Sequence, residues 1–318
     1  MTLSRDELAR IVRLRALFLD DTRAGQPLPD YWRDELDLAA YDRTLAQRIG
    51  WKWQAVLEEC RQRGFGSAQD RIVLDLGCGT GIAARTFVAA FGAREVRCFD
   101  RSKRATAFAC QRLQARPGAP PVVALTDVAD ERPDVLLVSH VLGELDATGE
   151  QALQALLRRS TTVLLVEPGN KPTSRRLSAL RDTLRESFVV RAPCPHQAAC
   201  PVLGRPADWC HFFAAPPPEV FTDGDQVRTW KALGIDARAL PYPFLWLQRR
   251  AAAHEPAAPA PSVPHRVLGR PELRPHTLGA QLCTDTGLRS VELQKRHHAA
   301  LWRTVKKHPE SVRWLPEG

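Results

Sequence analysis

The sequence predicts an α/β protein built on a doubly wound sheet, with an N-terminal helical cap and a small C-terminal β-module. Three observations carry this expectation. Short apolar runs alternate with helical stretches from residue 71 to residue 167. The turn after the first run is rich in glycine. A stretch rich in alanine and proline, 251–264, sets the last part of the chain apart.

In chain order, residues 1–70 read as the helical cap. Ser4 and Glu7 have the S-x-x-E spacing of a capping box, ahead of apolar Leu8, Ile11, Val12 and Leu14, and predict a helix over 4–20. Residues 30–63 predict one or two more helices, ending at Gly64. The period then changes. The runs RIVLDL (71–76), EVRCF (95–99), PVVAL (121–125), DVLLVSH (134–140) and TTVLLVE (161–167) have strand length. Helical stretches fall at about 82–91, 102–115, 149–158 and 173–188, and a late strand at FLWLQRR, 244–250. Strand alternating with helix implies parallel strands joined by right-handed crossovers. Strands that are apolar almost throughout are covered on both faces. The core domain therefore spans 71–250 and carries a cysteine-rich insertion at 190–212. Residues 251–264 have little to bury and read as a linker. Residues 265–318 contain short runs with turns at GRP and DTG, the pattern of a small β-module.

The 318 residues suffice for two domains, or for one with appendages. The net charge of +9, with arginine dominating, favours a polyanionic partner, most often nucleic acid. No apolar run approaches the roughly 20 residues of a membrane span. Acids interrupt the opening segment, MTLSRDELARIVRLRALFLDD, which also lacks a cleavage site. Neither a secretory signal nor a transit peptide is expected, and the expected compartment is the cytoplasm. In that setting the eight cysteines read as reduced thiols or metal ligands rather than disulfides. The oligomeric state is left open.

Residues 75–81 are DLGCGTG. Gly77, Gly79 and Gly81 follow a strand directly and open a helix, where the backbone must take positive φ and approach a ligand closely. The helix start offers amide donors to an anionic group. Asp100 ends the next strand, where a carboxylate accepts hydrogen bonds from ribose hydroxyls. A dinucleotide site would have G-x-G-x-x-G; this loop has G-x-G-x-G with Asp75 two positions ahead. That pattern resembles motif I of the Rossmann-like, class I methyltransferases that depend on S-adenosylmethionine. The resemblance assigns Asp75, Gly77, Gly79 and Gly81 to the methionine part of the cofactor and Asp100 to its ribose. Asp127, after the third strand, matches the position that commonly meets the adenine. Cys78 within the loop reads as a small packing residue, and Cys60, Cys98 and Cys110 as scattered structural thiols.

The fourth strand leads into SHVLGELD, 139–146, where such enzymes often place residues that face the substrate. His140 and Glu144 are candidate acid, base or orienting groups there, and equally candidate caps. The N/D-P-P-Y/F signature is absent. The APCP segment lies too far beyond the fifth strand to supply the nucleophile of a cytosine-C5 enzyme. No catalytic residue is assigned.

Cys194, Cys200 and Cys210 are spaced C-x5-C-x9-C, wider than the tight pairs of zinc ribbons. Cys194 and Cys200 each precede a proline, as cysteines do in bacterial ferredoxin runs. An all-cysteine cluster needs a fourth thiolate, and Cys283 is the only later cysteine. His196 and His211 are alternative ligands, which keeps zinc open.

After motif I, LGEL (142–145), VEPG (166–169), PCPH (193–196), WCHF (209–212) and a late LC…G…K around Leu282, Cys283, Gly287 and Lys295 occur in that order. Together they resemble the ribosomal small-subunit methyltransferase-like family, whose mitochondrial members act in small-subunit assembly. The resemblance covers nearly the whole chain and is weakest over 1–70. It implies a methyltransferase core that binds S-adenosylmethionine, and a [4Fe–4S] cluster held by Cys194, Cys200, Cys210 and Cys283. It also implies binding to small-subunit ribosomal RNA. The segment FAAPPPEV after WCHF, and ESVRW near the end, depart from the family pattern at places of RNA contact. Basic candidates for phosphate are Arg175, Arg176, Arg181 and Arg185, then Lys295, Arg296, Arg303, Lys306 and Lys307. Three readings stand: a methyltransferase acting on rRNA, a catalytically inactive assembly factor, and a small-molecule methyltransferase with a zinc staple.

Overall fold

The computed structural model describes residues 3–19, 30–250 and 265–315; the linker expected at 251–264 lies outside them. The chain divides into two compact units, Met1–Val166 with Pro216–Leu240, and Glu167–Ala215 with Pro241–Gly318.

The first unit begins with α1 (Arg5–Phe18), α2 (Glu35–Asp42) and α3 (Leu45–Gln62). Ser4 caps α1 through the expected reciprocal box with Glu7, and Asp34 caps α2 by accepting from Asp37 N. Then come β1 (Ile72–Leu76), α4 (Ile82–Phe91), β2 (Glu95–Phe99), α5 (Lys103–Gln114), β3 (Val122–Ala124), β4 (Val135–Ser139), α6 (Ala147–Arg159) and β5 (Thr162–Val166). All neighbouring pairs are parallel, in the order β3-β2-β1-β4-β5. The order reverses between β1 and β4, and at such a switch point the strand ends open a crevice for a ligand. Every residue of β5 is buried, as expected for a strand covered on both faces. Ile11, Leu14 and Leu38 of the cap pack with Phe108 of α5 and with Trp230 and Leu233 from the later excursion of the chain.

The second unit holds α7 (Lys171–Leu184), β6 (Phe188–Ala192) and β7 (Phe212–Phe213). The chain then passes through α8 (Glu219–Thr222) and α9 (Gly224–Ala232) of the first unit. It returns with β8 (Pro241–Tyr242), β9 (Phe244–Arg249), β10 (His265–Leu273), β11 (Thr277–Thr284), β12 (Gly287–Gln294), α10 (Ala299–Lys307) and β13 (Trp314–Leu315). Strands β6 and β9 pair antiparallel. The C-terminal β-module is an antiparallel sheet of order β12-β11-β10-β13.

Several elements escaped the sequence reading: β7, α8, α9 and β8 between residues 212 and 242, and also β6 and α10. The stretch 173–188 was expected as one helix, but α7 stops at Leu184 and Phe188 opens β6. Helix α10 lies in a segment expected to be all β. Its Val305, with partly buried Leu301 and Trp302, packs on Val267, Leu278, Ala280 and Leu282.

Among the described residues, no helix is long and apolar enough to cross a membrane.

Candidate cofactor site and cysteine centre

The glycine loop has the conformation its composition demands. Gly77, Gly79 and Gly81 all have positive φ, at 67°, 52° and 75°. A Cβ at Gly77 would lie 2.5 Å from Val141 Cγ2, so the loop passes too close to the chain beyond β4 for any other residue. A Cβ at Gly81 would lie 3.1 Å from Ala109 Cβ, and only glycine lets the start of α4 approach α5 this closely. A Cβ at Gly79 would meet nothing within 4 Å, so that position opens onto free space.

Asp75 is fully buried in β1. Its Oδ2 accepts from Ala84 N at 3.2 Å, while Oδ1 is shielded and has no hydrogen-bond partner. Burial pushes the Asp75 carboxyl up to about 7. Asp100 ties the loop to β2: Oδ2 accepts from Gly79 N and Oδ1 from Ser102 N, both at 2.9 Å. Burial raises its pKa too, against the lowering effect of those two amides. Each carboxylate oxygen has a second lone pair left for a ligand hydroxyl. Asp127 sits exposed in the turn beyond β3, where its Oδ1 accepts from Val128 N at 2.6 Å and Ala129 N at 3.1 Å. Cys78 is buried, as a packing residue would be, and burial, offset by a hydrogen bond with Cys98, leaves its thiol at about 11.

Sequence reasoning missed the segment that precedes α2. Asp30 accepts from Ser102 Oγ at 3.0 Å, and Arg104 donates to Trp32 O at 2.8 Å. Tyr31 donates to Glu144 Oε1 at 3.4 Å, and Arg101 stacks over the Tyr31 ring at 5.5 Å with its guanidinium 3.6 Å from Glu144. The segment thus lies across the loops that follow β2 and β4. Burial pushes Glu144 up to about 7. His140 takes a left-handed backbone, φ 58°, a conformation rare outside glycine. Its Nε2 is shielded from solvent without a partner, and burial, then Lys52, hold the ring neutral. No pattern within residues 30–32 marks them in advance, because their partners are 72 and 113 positions away.

In the second unit, α7 holds the cysteine stretch. Arg175 donates to the carbonyls of Val202, Leu203, Arg205 and Asp208 at 2.8–3.1 Å. Ser174 Oγ donates to Cys210 O. Arg181 donates to His196 O at 3.0 Å and to Ala198 O, and pairs with Asp182 at 2.5 Å. Asp182 in turn accepts from Cys200 N at 2.9 Å. Gln197 clamps the stretch to β6 by accepting from Val190 N at 2.9 Å and donating to Val190 O at 2.8 Å. Arg175 and Arg181, expected among the phosphate contacts, therefore face inward and order this loop. Lys295, Arg296, Arg303, Lys306 and Lys307 are all exposed.

Cys194, Cys200 and Cys210 line one narrow cavity with Arg181, Pro193 and Phe244. The Cys283 thiol, on β11, lies 3.5 Å from His196 Nε2. Burial pushes the thiols of Cys200, Cys210 and Cys283 up, and the neighbouring sulfurs raise each further: Cys194 acts on all three, Cys200 on Cys210 and Cys283. Among the described residues, however, no three or more His, Cys, Asp or Glu side chains are disposed to hold a metal ion.

The family described as mitochondrial small ribosomal subunit Rsm22 matches residues 52–314. The chain belongs to the Rsm22 family. The match runs from α3 of the first unit to β13 of the second, and so takes in both the glycine loop and the cysteine centre. Among solved structures, the chain is similar to the magnesium protoporphyrin IX methyltransferase (ChlM) of Synechocystis PCC 6803 with bound SAH. That likeness is 14% identical over 77% of this chain and 97% of that one, with a TM-score of 0.42. It is also similar to the N-methyltransferase NodS of Bradyrhizobium japonicum WM9, 14% identical over 66% of this chain and 99% of that one, with a TM-score of 0.41. No curated protein matches the chain.

Proposed function

We propose that this protein binds S-adenosylmethionine in the first unit, holds a [4Fe–4S] cluster in the second, and binds the RNA of the small ribosomal subunit as an assembly protein. The observation that carries the cofactor reading is Asp75, buried with Oδ1 lacking a partner beside three left-handed glycines. An ammonium group such as that of the cofactor's methionine part supplies the missing donor and favours the carboxylate form. Gly77, Gly79 and Gly81 let the backbone approach the ligand, and Asp100 keeps lone pairs for the ribose hydroxyls. Asp127 has its Oδ1 engaged by the turn and Oδ2 left for the adenine side.

Support for a thiolate-held group comes from Cys194, Cys200 and Cys210 lining one cavity and from the buried thiol of Cys283 beside His196. Such a cluster supplies an electron-transfer centre or a structural cross-link. Cys194, Cys200, Cys210 and Cys283 would hold it. The small-subunit partner follows from the family description. The net charge of +9 and the exposed basic residues after β12 support an RNA surface.

The test is anaerobic purification followed by calorimetry with S-adenosylmethionine and binding of small-subunit rRNA fragments. The reading expects cofactor binding, and an RNA affinity that falls at least about tenfold between roughly 50 and 200 mM salt. An affinity indifferent to salt, or absent cofactor binding, contradicts it. His140 favours a second reading, methyl transfer to an rRNA base, since a neutral imidazole after β4 can accept the proton that the base releases. Label from the cofactor's methyl group appearing in RNA with wild type but not with His140→Asn supports that reading; no label with wild type sinks it.

A further inference from the structure

The C-terminal module gathers positive charge on one helix and the turn that leads into it. From Leu293 to Pro309 the chain has five lysines and arginines, Lys295, Arg296, Arg303, Lys306 and Lys307, and no acid. All five are exposed. Helix α10 presses Leu301, Trp302 and Val305 onto the sheet. With about 3.6 residues per turn, Arg303 and Lys307 stand on the opposite face, about 6 Å apart along the axis, and Lys306 stands at their flank. The Lys295 ammonium lies 4.9 Å from the centre of the Trp302 ring, a cation–π contact that holds the turn against the start of the helix.

Local stability does not explain this arrangement. Like charges one turn apart on a helix, as Arg303 and Lys307 are, repel each other. Lys295 and Arg296 precede the helix N-terminus, where the dipole disfavours cations. Only Lys306 and Lys307, in the last turn, suit the dipole. The acids that flank the stretch are engaged elsewhere: Glu292 lies 3.7 Å from Arg274, and Glu310 lies 3.6 Å from His308. Exposed Arg274 has a second carboxylate, Glu272, at 3.0 Å. Among the described residues, none of the five cations has a carboxylate partner. A face of this kind is complementary to a chain of phosphates.

Resting on the RNA reading above, we propose that the outward face of α10 and the turn before it, Lys295, Arg296, Arg303, Lys306 and Lys307, is the surface that takes the phosphate backbone of RNA. It fixes the position of the protein on the RNA and reads no base. The side chains between the cations support the second half of that statement. Ala299 and Ala300 are too short to reach a base edge, and the Thr304 hydroxyl donates to Ala300 O at 3.2 Å. The Trp302 ring is packed against the sheet with Lys295 over it.

The experiment measures binding to a small-subunit rRNA fragment and to an unrelated RNA of equal length, between about 50 and 200 mM salt at one pH. It compares wild type with the triple variant Arg303→Gln, Lys306→Gln, Lys307→Gln. At mid-range salt the triple variant should bind both RNAs at least about tenfold more weakly, and its slope of log affinity against log salt should be shallower by about two to three. Arg303→Gln alone should lose about one unit of slope, and it decides the matter if the triple variant does not fold. Arg303→Lys with Lys306→Arg and Lys307→Arg keeps the charge and should stay within about threefold of wild type. So should Arg94→Gln, Arg132→Gln, Lys231→Gln, which removes as much charge from exposed positions of the first unit. Unchanged affinity and slope in the α10 variants overturn the proposal. So does an equal loss in the first-unit variant, which would make net charge the cause, or a loss on the rRNA fragment alone, which would mean that α10 reads bases. Wild type that binds neither RNA, or binds without salt dependence, sinks the RNA reading and this inference together. Salt-dependent wild type with indifferent α10 variants sinks the inference alone.

Discussion

The glycine loop and the cysteine centre are built in opposite ways. The loop takes its shape from five consecutive residues, 77–81, between β1 and α4, and its partners Asp100 and Val141 stand just beyond the ends of neighbouring parallel strands. Backbone conformation does most of the work there. The cysteine stretch has almost no regular structure between β6 and β7, and side chains of α7 hold it by capping its carbonyls and amides. One site is as stable as the sheet that carries it. The other depends on a few buried charged residues and, on our reading, on the metal it encloses.

Gly77→Ala should have the largest effect on the first site. It adds a Cβ 2.5 Å from Val141 Cγ2 at φ 67°. Left-handed strain and overpacking together cost about 3 kcal/mol. Urea unfolding should show the loss, and Gly77→Ala with Val141→Ala should recover part of it. Full recovery by the second change alone would mean that φ contributes nothing.

Arg175→Met is the matching blow to the cysteine stretch. It removes a guanidinium that caps four carbonyls, and should cost about 2 kcal/mol and speed hydrogen exchange across 200–210. Affinity for S-adenosylmethionine should stay within about twofold. A large loss of cofactor affinity would mean that the two regions are not separately supported.

Asp75→Asn sharpens the contrast through pH. The Asp75 pKa is raised from 3.8 to about 7, so the folded chain keeps a proton that the unfolded chain releases. The stabilisation from that proton is complete below about pH 4 and is lost as pH rises through about 7. Asp100 and Glu144 shift in the same direction and remain in both proteins. Without cofactor, the Asn variant should therefore gain on wild type between pH 4 and pH 8, by a few kcal/mol. A constant difference across that range would place the Asp75 charge elsewhere. Asp127→Ala should do least: it removes two bonds in an exposed turn, costs about 1 kcal/mol and weakens the cofactor less than about threefold by calorimetry.

The sequence made the glycine loop legible because each of its requirements is local: an apolar run, three glycines, a helix and an acid at the end of the next strand. The same locality gave β1 to β5 and the capping box at Ser4. Strand β6 was hidden because Phe188 follows α7 after only a short turn, so its apolar residues read as a continuation of the helix. Helix α10 was hidden because Leu301, Trp302 and Val305 show their spacing only once a sheet face exists to receive them. The cysteines were visible as residues, but their scaffold was not. Arg175 and Arg181 look like surface charges on an exposed helix until the loop folds back over them.

The central claim is that one chain carries a cofactor site and a separate thiolate metal centre. Iron, sulfide, zinc and S-adenosylmethionine binding, measured on the same anaerobic preparations of wild type and Cys283→Ser, test it most directly. We expect about four iron and four sulfide per wild-type chain, a loss of most of both in the variant, and cofactor affinity within about twofold in the two proteins. About one zinc without iron in wild type, or a cofactor site that fails along with the metal, would contradict it.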